Sequence, residues 1–512
     1  MDDDAASQTE QPFFSRRETK EAIEAVATAK RLTILVGAGA SAEIGLPTWR
    51  ELVQRLLIRV GQAEGLDGGA ARAFCDWTIS AEGLPAAGSM ARAALGSRFP
   101  DEVRRLLYDG MHEPLLPGAT ARAIAQIKEL WGDACEIATT NYDVLLEDAL
   151  KGLFPKARVK SRVDQYDGAP GDIEVRHLHG LITKKRKVGT IVLSEVDYHR
   201  MADPEAWQEG YFRKQLGDSL CLFIGTSVTD PNLLRYLYRY QHKRRVVVLL
   251  VRQADDWPGS ENPNSVIRVA RERVALLRWQ EMGITALYAD YYNQSAQFLW
   301  EVARRRMLGR SYESYGTRID RWHQYINRYV LRFDDPVGFA ARQDELQQQA
   351  RVWLDAVVDR IEQVKNIERD ERLAVHLWVR IPRKRSLVMV VSSDRAWRDP
   401  RVPDPKKISL PSRWAAVHAF CRGVPCVWNV EDASSRWSYI RAIPVFLQEE
   451  PCGRFPIGVV TLASTKPRSL SILDRLSPQV LDEISMYLQG NAADLLSPTD
   501  QQGQGNNEHN AT

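Results

Sequence analysis

The chain has 512 residues, 44% of them hydrophobic and 26% charged, with a formal net charge of +3. That length exceeds one core and predicts about two to four domains. So balanced a charge excludes the strongly basic or acidic surface that would by itself announce a nucleic-acid or membrane partner.

Residues 1–12, beginning MDDDAASQTEQ, are acidic and polar; they are expected to be disordered and read as neither a signal nor a transit peptide. From 13 to 310 apolar runs alternate with helical patterns. The runs are 32–36 (LTILV), 134–138 (ACEIA), 174–178 (EVRHL), 219–225 (SLCLFIG), 245–251 (RVVVLLV) and 284–288 (ITALY). Successive apolar residues suit strands covered on both faces, and intervening segments such as 49–60 (WRELVQRLLIRV) have helical spacing. The pattern predicts an α/β domain with a Rossmann-like, doubly wound parallel sheet.

A helical connector is expected over 311–368, where 345–364 (ELQQQARVWLDAVVDRIEQV) has one apolar face that would suit a second subunit as well. From 369 to 495 the reading is a smaller α+β domain. Strands 373–381 (LAVHLWVRI) and 386–392 (SLVMVVS) flank a basic turn at 382–385; a helix at 413–422, strands at 440–447 and 457–463, and a helix at 472–488 follow. The tail, 496–512, is expected to be disordered. No apolar stretch reaches the roughly 20 residues of a bilayer span. The six cysteines, Cys75, Cys135, Cys221, Cys421, Cys426 and Cys452, form no CxxC pair and suit a reducing compartment, so a cytoplasmic location is expected.

The first strand runs into Gly37-Ala38-Gly39-Ala40-Ser41, then reaches Gly45-Leu46-Pro47-Thr48-Trp49-Arg50. Glycines after a buried strand let the backbone approach a pyrophosphate, and the next helix offers free N–H groups to phosphates. Such a turn also serves close packing without a ligand. No Gly-Lys-Ser/Thr follows, and Ala42 stands where a third glycine of the dinucleotide fingerprint belongs.

GAGASAEIGLPTWR resembles the first motif of the sirtuins. Thr139-Thr140-Asn141-Tyr142-Asp143 resembles their Thr-x-Asn-x-Asp element, His179-Gly180 their His-Gly element, and Gly225-Thr226-Ser227 with Asp230-Pro231-Asn232 their ribose-holding Gly-x-Ser loop. The resemblance implies NAD⁺ as substrate, contacted by Gly37, Ala38, Gly39, Ser41, Pro47, Trp49, Arg50, Thr139, Tyr142, Gly225, Thr226 and Ser227. It implies catalytic roles for Asn141 in fixing a water against the ribose, Asp143 in bonding the nicotinamide carboxamide, and His179 as general base. Read from residue type alone, Asn141 and Asp143 are also helix caps, His179 a buried histidine with His177 as competitor, and Ser227 and Asp230 turn and cap residues.

Protein-deacylating sirtuins carry a four-cysteine zinc module after the Thr-x-Asn-x-Asp helix. No cysteine lies between Cys135 and Cys221, so no zinc is expected there. The resemblance is therefore to the zinc-free branch, which includes bacterial antiphage effectors that hydrolyse NAD⁺. It implies an NAD⁺ glycohydrolase, with a deacylase, an ADP-ribosyltransferase or a non-catalytic NAD⁺ sensor as alternatives. Basic clusters near 184–187, 242–245 and 304–306 are short and without interleaved aromatics, and read as solvated surface rather than a nucleic-acid site.

In the C-terminal part, 426–430 (CVWNV), 440–445 (IRAIPV) and 457–462 (IGVVTL) resemble the strands of GAF-type sensor domains. That resemblance implies a small-molecule or protein activator acting through this domain; a plain oligomerisation domain is the other reading, and a homo-oligomer is expected.

Overall fold

The computed structural model describes residues 13–42, 44–108, 117–166, 169–183, 187–188, 191–240, 245–251, 264–289, 293–309, 322, 324–381, 386–408, 412–432, 434–448 and 454–497. Residues 1–12 and 498–512, expected to be disordered, lie outside these, as do the basic turn at 382–385 and most of the basic clusters at 184–187 and 242–245. The chain forms two compact units, Met1–Arg310 and Ser311–Thr512.

The first unit is built on seven strands: β1 (Leu32–Val36), β2 (Cys135–Thr139), β3 (Val159–Arg162), β4 (Ile173–His177), β5 (Leu220–Ile224), β6 (Arg245–Val251) and β7 (Ile284–Ala289). They lie in the order β3-β4-β2-β1-β5-β6-β7, and every neighbouring pair is parallel. All five residues of β1 and of β5 are buried, as strands covered on both faces must be. β1 is central, with β2 on one side and β5 on the other. The chain therefore reverses direction across the sheet beside β1, and loops leaving β1, β2, β4 and β5 gather at one carboxyl edge, the place where such sheets bind ligands.

Helix Trp49–Ala63 is started by a capping box, in which Thr48 and Glu51 satisfy each other's backbone N–H groups. Its apolar face packs Leu52, Val53, Leu56 and Leu57 around Tyr142, Ile182 and Leu193. Each such buried aliphatic side chain stabilises by roughly 1.5–3 kcal/mol.

In the second unit, six strands form an antiparallel sheet: β8 (Leu373–Arg380), β9 (Ser386–Ser392), β10 (Lys406–Lys407), β11 (Cys426–Asn429), β12 (Tyr439–Gln448) and β13 (Arg454–Ser464). Their order is β10-β9-β8-β13-β12-β11. Helix Pro336–Glu362, read as a connector, packs on β8 and β9 of this unit. It buries Phe339, Leu346, Trp353 and Val357, and Gln343 Nε2 donates to Val390 O at 2.8 Å. The second unit is thus a smaller α+β fold. No helix among the described residues is long and apolar enough to cross a membrane.

Candidate active site

The four glycine- and polar-rich loops meet at the carboxyl edge of the first sheet. β1 and β2 are in register from Leu32 opposite Cys135 to Val36 opposite Thr139, so Gly37 and Thr140 leave the sheet side by side. Thr139 Oγ1 donates to Val36 O at 2.9 Å and accepts from Asn141 N at 2.9 Å, which turns the chain so that Asn141 points back over the edge.

There Asn141, Ser41 and Asp143 form one buried chain of hydrogen bonds. Asn141 Nδ2 donates to Ser41 Oγ at 2.9 Å, and Ser41 Oγ donates to Asp143 Oδ2 at 2.8 Å. This order of donors locks the Asn141 amide with its nitrogen toward Ser41. Its oxygen, Oδ1, is left buried with no partner among the described residues. A buried acceptor in that state is a place for a ligand or a water. Asp143 Oδ1 also accepts from Leu145 N at 3.1 Å, so Asp143 holds the start of helix Leu145–Leu153 while Asn141 does not. Burial holds the Asp143 carboxyl above its ordinary range, against the opposing bonds from Ser41 and Leu145.

The two histidines, two residues apart, have different surroundings. His177 Nδ1 donates to the Asn141 carbonyl at 2.9 Å, and Nε2 stands 2.8 Å from Glu147 Oε1, which Ser161 Oγ also contacts. A neutral imidazole has one N–H, so donating on both sides requires the cation. Burial acts against that charge, but the Glu147 carboxylate and its hydrogen bond prevail and raise the His177 pKa; Glu147 is correspondingly lowered.

His179 lies just beyond β4, followed by Gly180 at φ 84°, and is equally buried. Its Nε2 is 3.5 Å from Asp230 Oδ2, and the Tyr198 ring meets it edge-on at 5.9 Å. Burial lowers its pKa, with Asp230 pulling the other way. His177 therefore has both ring nitrogens engaged, whereas His179 has only Nε2 beside a partner among the described residues.

The first loop and the Gly225 loop are held backbone to backbone. Gly37 N donates to Ile224 O at 2.8 Å and Gly39 N to Gly225 O at 2.7 Å. A Cβ on Gly37 would stand 2.6 Å from Gly225 O, and one on Gly39 2.8 Å from the same atom. Both glycines thus serve close packing, and both N–H groups are already engaged. The remaining expected contacts divide. Ala38 and Gly225 are half-buried beside the edge, and Thr226 Oγ1 accepts from Val228 N at 3.2 Å. Trp49 lies 5.8 Å from Tyr198, with its indole Nε1 buried and without a partner among the described residues. Pro47 is buried ahead of the Thr48 cap, whereas Arg50 and Ser227 are exposed, Ser227 Oγ bonding Thr229 Oγ1 at 2.7 Å. Tyr142 is packed in the core, and its hydroxyl donates to Val192 O at 2.7 Å.

Glu147 and Tyr198 were not singled out from the sequence. A signal existed for Glu147: it is an acidic residue on a buried helix face among Leu145, Leu146, Ala149 and Leu150. Nothing local marks Tyr198. Beside Gly180 a cavity of about 210 Å³ has a mixed lining, apolar from Leu178, Val192, Met201 and Trp207 and polar from His177, Asp197, Arg200 and Gln208. Among the described residues no group of three or more His, Cys, Asp or Glu side chains is placed to hold a metal ion.

Residues 135–287 match the family model described as a SIR2-like domain, so the first unit carries a sirtuin-like domain. No curated protein matches the chain. Among solved structures, a Sir2 homologue in complex with NAD is 16% identical, over 57% of this chain and 94% of that one, at a TM-score of 0.31. A mutant Sir2 homologue in complex with ADP-ribose is 18% identical, over 57% and 99%, also at 0.31. A structure titled for the mechanism and regulation of Sir2 enzymes is 14% identical, over 58% and 100%, again at 0.31.

Proposed function

We propose that this chain, with its SIR2-like domain at residues 135–287, is an NAD⁺ glycohydrolase that releases nicotinamide and ADP-ribose. One observation carries the reading. The Asn141 amide is locked by Ser41 and Asp143 so that its Oδ1 is left buried and unpartnered among the described residues at the carboxyl edge, with His179 on the adjoining loop. A helix cap needs neither the locked amide nor a partly desolvated imidazole. Hydrolysis of a glycosidic bond needs both, one to hold the water and one to take its proton.

In this reading Asn141 Oδ1 accepts from the attacking water and His179 takes its proton. Asp143 fixes Asn141 through Ser41 and lies where the nicotinamide carboxamide would be bound. Trp49 offers a free indole N–H to the same ligand, and the Ala38 and Gly225–Ser227 backbone borders its ribose and phosphates. Because Gly37 and Gly39 already give their N–H groups to the neighbouring loop, phosphate binding falls to the rest of the edge.

The absence of a cysteine module between Cys135 and Cys221 supports water as acceptor, and with it a role as an NAD⁺-depleting antiphage or stress effector. The second unit is then a GAF-like sensor answering a small-molecule or protein activator in a homo-oligomer. What supports this is the pairing of Ile443, Pro444 and Val445 with Val460, Val459 and Gly458 on neighbouring strands. The competing reading is an acyl-lysine deacylase; the cavity beside Gly180, where His177, Asp197, Arg200 and Gln208 stand among apolar side chains, is mixed in character and does not select it.

NAD⁺ turnover with products resolved separates these, run beside His179→Ala and Asn141→Ala. Free nicotinamide plus ADP-ribose, lost in both variants, is the expected result. An acylated ADP-ribose formed from an acetyl-peptide, with no free ADP-ribose, would overturn it.

A further inference from the structure

Asp230 divides its two carboxylate oxygens between two tasks. Oδ1 accepts from Asn232 N at 2.9 Å and Leu233 N at 3.0 Å, which caps helix Pro231–Arg239. A cap needs no more than that, and asparagine would serve it equally. Oδ2 faces away from the helix, accepts the Tyr198 hydroxyl at 3.0 Å, and lies 3.5 Å from His179 Nε2.

The loop that carries Asp230 has a strained residue. Val228, two residues earlier, sits at φ 52°, a region that β-branched side chains avoid and that stores strain. Its side chain is buried in the core cluster of Leu178, Phe223 and Leu233. The loop is thus anchored to the core two residues before Asp230. Among the described residues no other carboxylate or hydrogen-bond acceptor pairs with the His179 ring. Of the titratable groups on the elements around it, Asp230 on the Gly225 loop and Tyr198 on helix Glu195–Met201 meet the ring; Asp197 on the same helix is paired with Arg92, and the Tyr142 hydroxyl donates to Val192 O. On its own segment, His177 has both ring nitrogens engaged by Asn141 and Glu147.

We infer that Asp230 is the positioning residue of His179: its carboxylate holds the imidazole in the Nε2–H form, leaving Nδ1 as the proton acceptor, and steadies the imidazolium that results. The inference rests on the proposed hydrolysis. In that step His179 Nδ1 takes one proton from water as the water oxygen bonds to the ribose carbon. The carbon–nitrogen bond breaks with its electron pair on the nicotinamide nitrogen, and the proton leaves the imidazolium for solvent. The proton does not pass to Asp230, whose part is to orient the ring and offset its charge. Burial disfavours a charged His179, and the nearby Asp230 carboxylate opposes that effect.

The test is Asp230→Asn in the full chain, which keeps an oxygen for the helix cap. NMR of ¹⁵N-histidine protein reads the His179 tautomer and titration without any turnover. The wild type is expected to carry Nε2–H. The variant is expected to lose that preference, to titrate at lower pH, and to turn NAD⁺ over about 10²-fold more slowly with KM nearly unchanged. Tyr198→Phe, which removes the hydroxyl and leaves the carboxylate, is expected to keep the tautomer. A wild-type His179 found as Nδ1–H overturns the inference even if the Asn variant does not fold. So does a folded Asp230→Asn protein whose His179 titrates as before. Should the wild type prove unable to cleave NAD⁺, the hydrolase reading falls, while the tautomer still decides whether Asp230 sets His179.

Discussion

His177 Nε2 stands 2.8 Å from Glu147 Oε1, and both side chains are buried beneath the loop that carries Asn141. The other ring nitrogen holds the Asn141 carbonyl, so a charged pair in the floor of the site sets the main chain from which the Asn141 amide projects. Burying two charges is costly unless they are well partnered; Ser161 adds a second contact to Glu147 Oε1, while Oε2 is buried with no partner among the described residues.

Glu147→Gln is expected to lower stability by about 1–3 kcal/mol near neutral pH, because the histidine loses its counter-ion. The pH dependence follows from the two shifts. His177 is raised above 6.5, so its contribution is complete below that pH and is lost as pH rises through its folded value. Glu147 is lowered below 4.5, so its contribution is complete above that pH and is lost on acidification through its folded value. Urea unfolding between pH 5 and 9 should show an alkaline decline in the wild type that is absent in the variant; equal slopes would show that the pair is not charged.

Gly225→Ala and Gly283→Ala separate conformational strain from collision. Both glycines have positive φ, 69° and 65°. A Cβ on Gly283 meets nothing within 4 Å, whereas one on Gly225 would stand 2.5 Å from Ala40 N and 2.9 Å from Gly37 O. The Gly283 variant is expected to lose about 1–2 kcal/mol. The Gly225 variant should lose roughly 3 kcal/mol or more, since the two loops must part. Comparable losses in denaturant melts would mean that the loops can separate freely.

In the second unit, His376 on β8 is buried, with Thr461 Oγ1 3.3 Å from Nδ1 and Trp437 edge-on at 5.7 Å. Burial, together with the positive charges of Arg395 and Arg436, lowers its pKa to about 3; Asp394, 3.5 Å away, is itself paired with Arg436. The unfolded chain would bind a proton there near 6.5, so stability is lost as pH falls from about that value toward 3. His376→Gln is expected to flatten this acid slope, and NMR should find the His376 ring neutral at pH 4.5. A ring already protonated at that pH would contradict the expectation.

Most strands were legible because covered parallel strands are largely apolar along their length, and 32–36 and 245–251 coincide with β1 and β6. β3 was not, since its sequence is VKSR and all four residues are only half-buried at the sheet edge. The last helix, read as continuous over 472–488, is broken by Ser477, which caps a new helix at Pro478, and that helix continues to Leu496. The polar and proline signals for this break were in the chain, outweighed by the apolar periodicity on either side.

By itself the sequence determined which loops share an edge: in a parallel sheet every strand ends on the same side, so motifs after β1, β2, β4 and β5 had to converge. Only the tertiary structure decided what each residue does there. Whether the N–H groups of Gly37 and Gly39 are free, which histidine is paired with a carboxylate inside the floor, and which oxygen of Asp230 is left over all depend on bonds between residues far apart in the chain. Strand register and packing set those partners to within a fraction of an ångström, and no local periodicity encodes a distance of that kind.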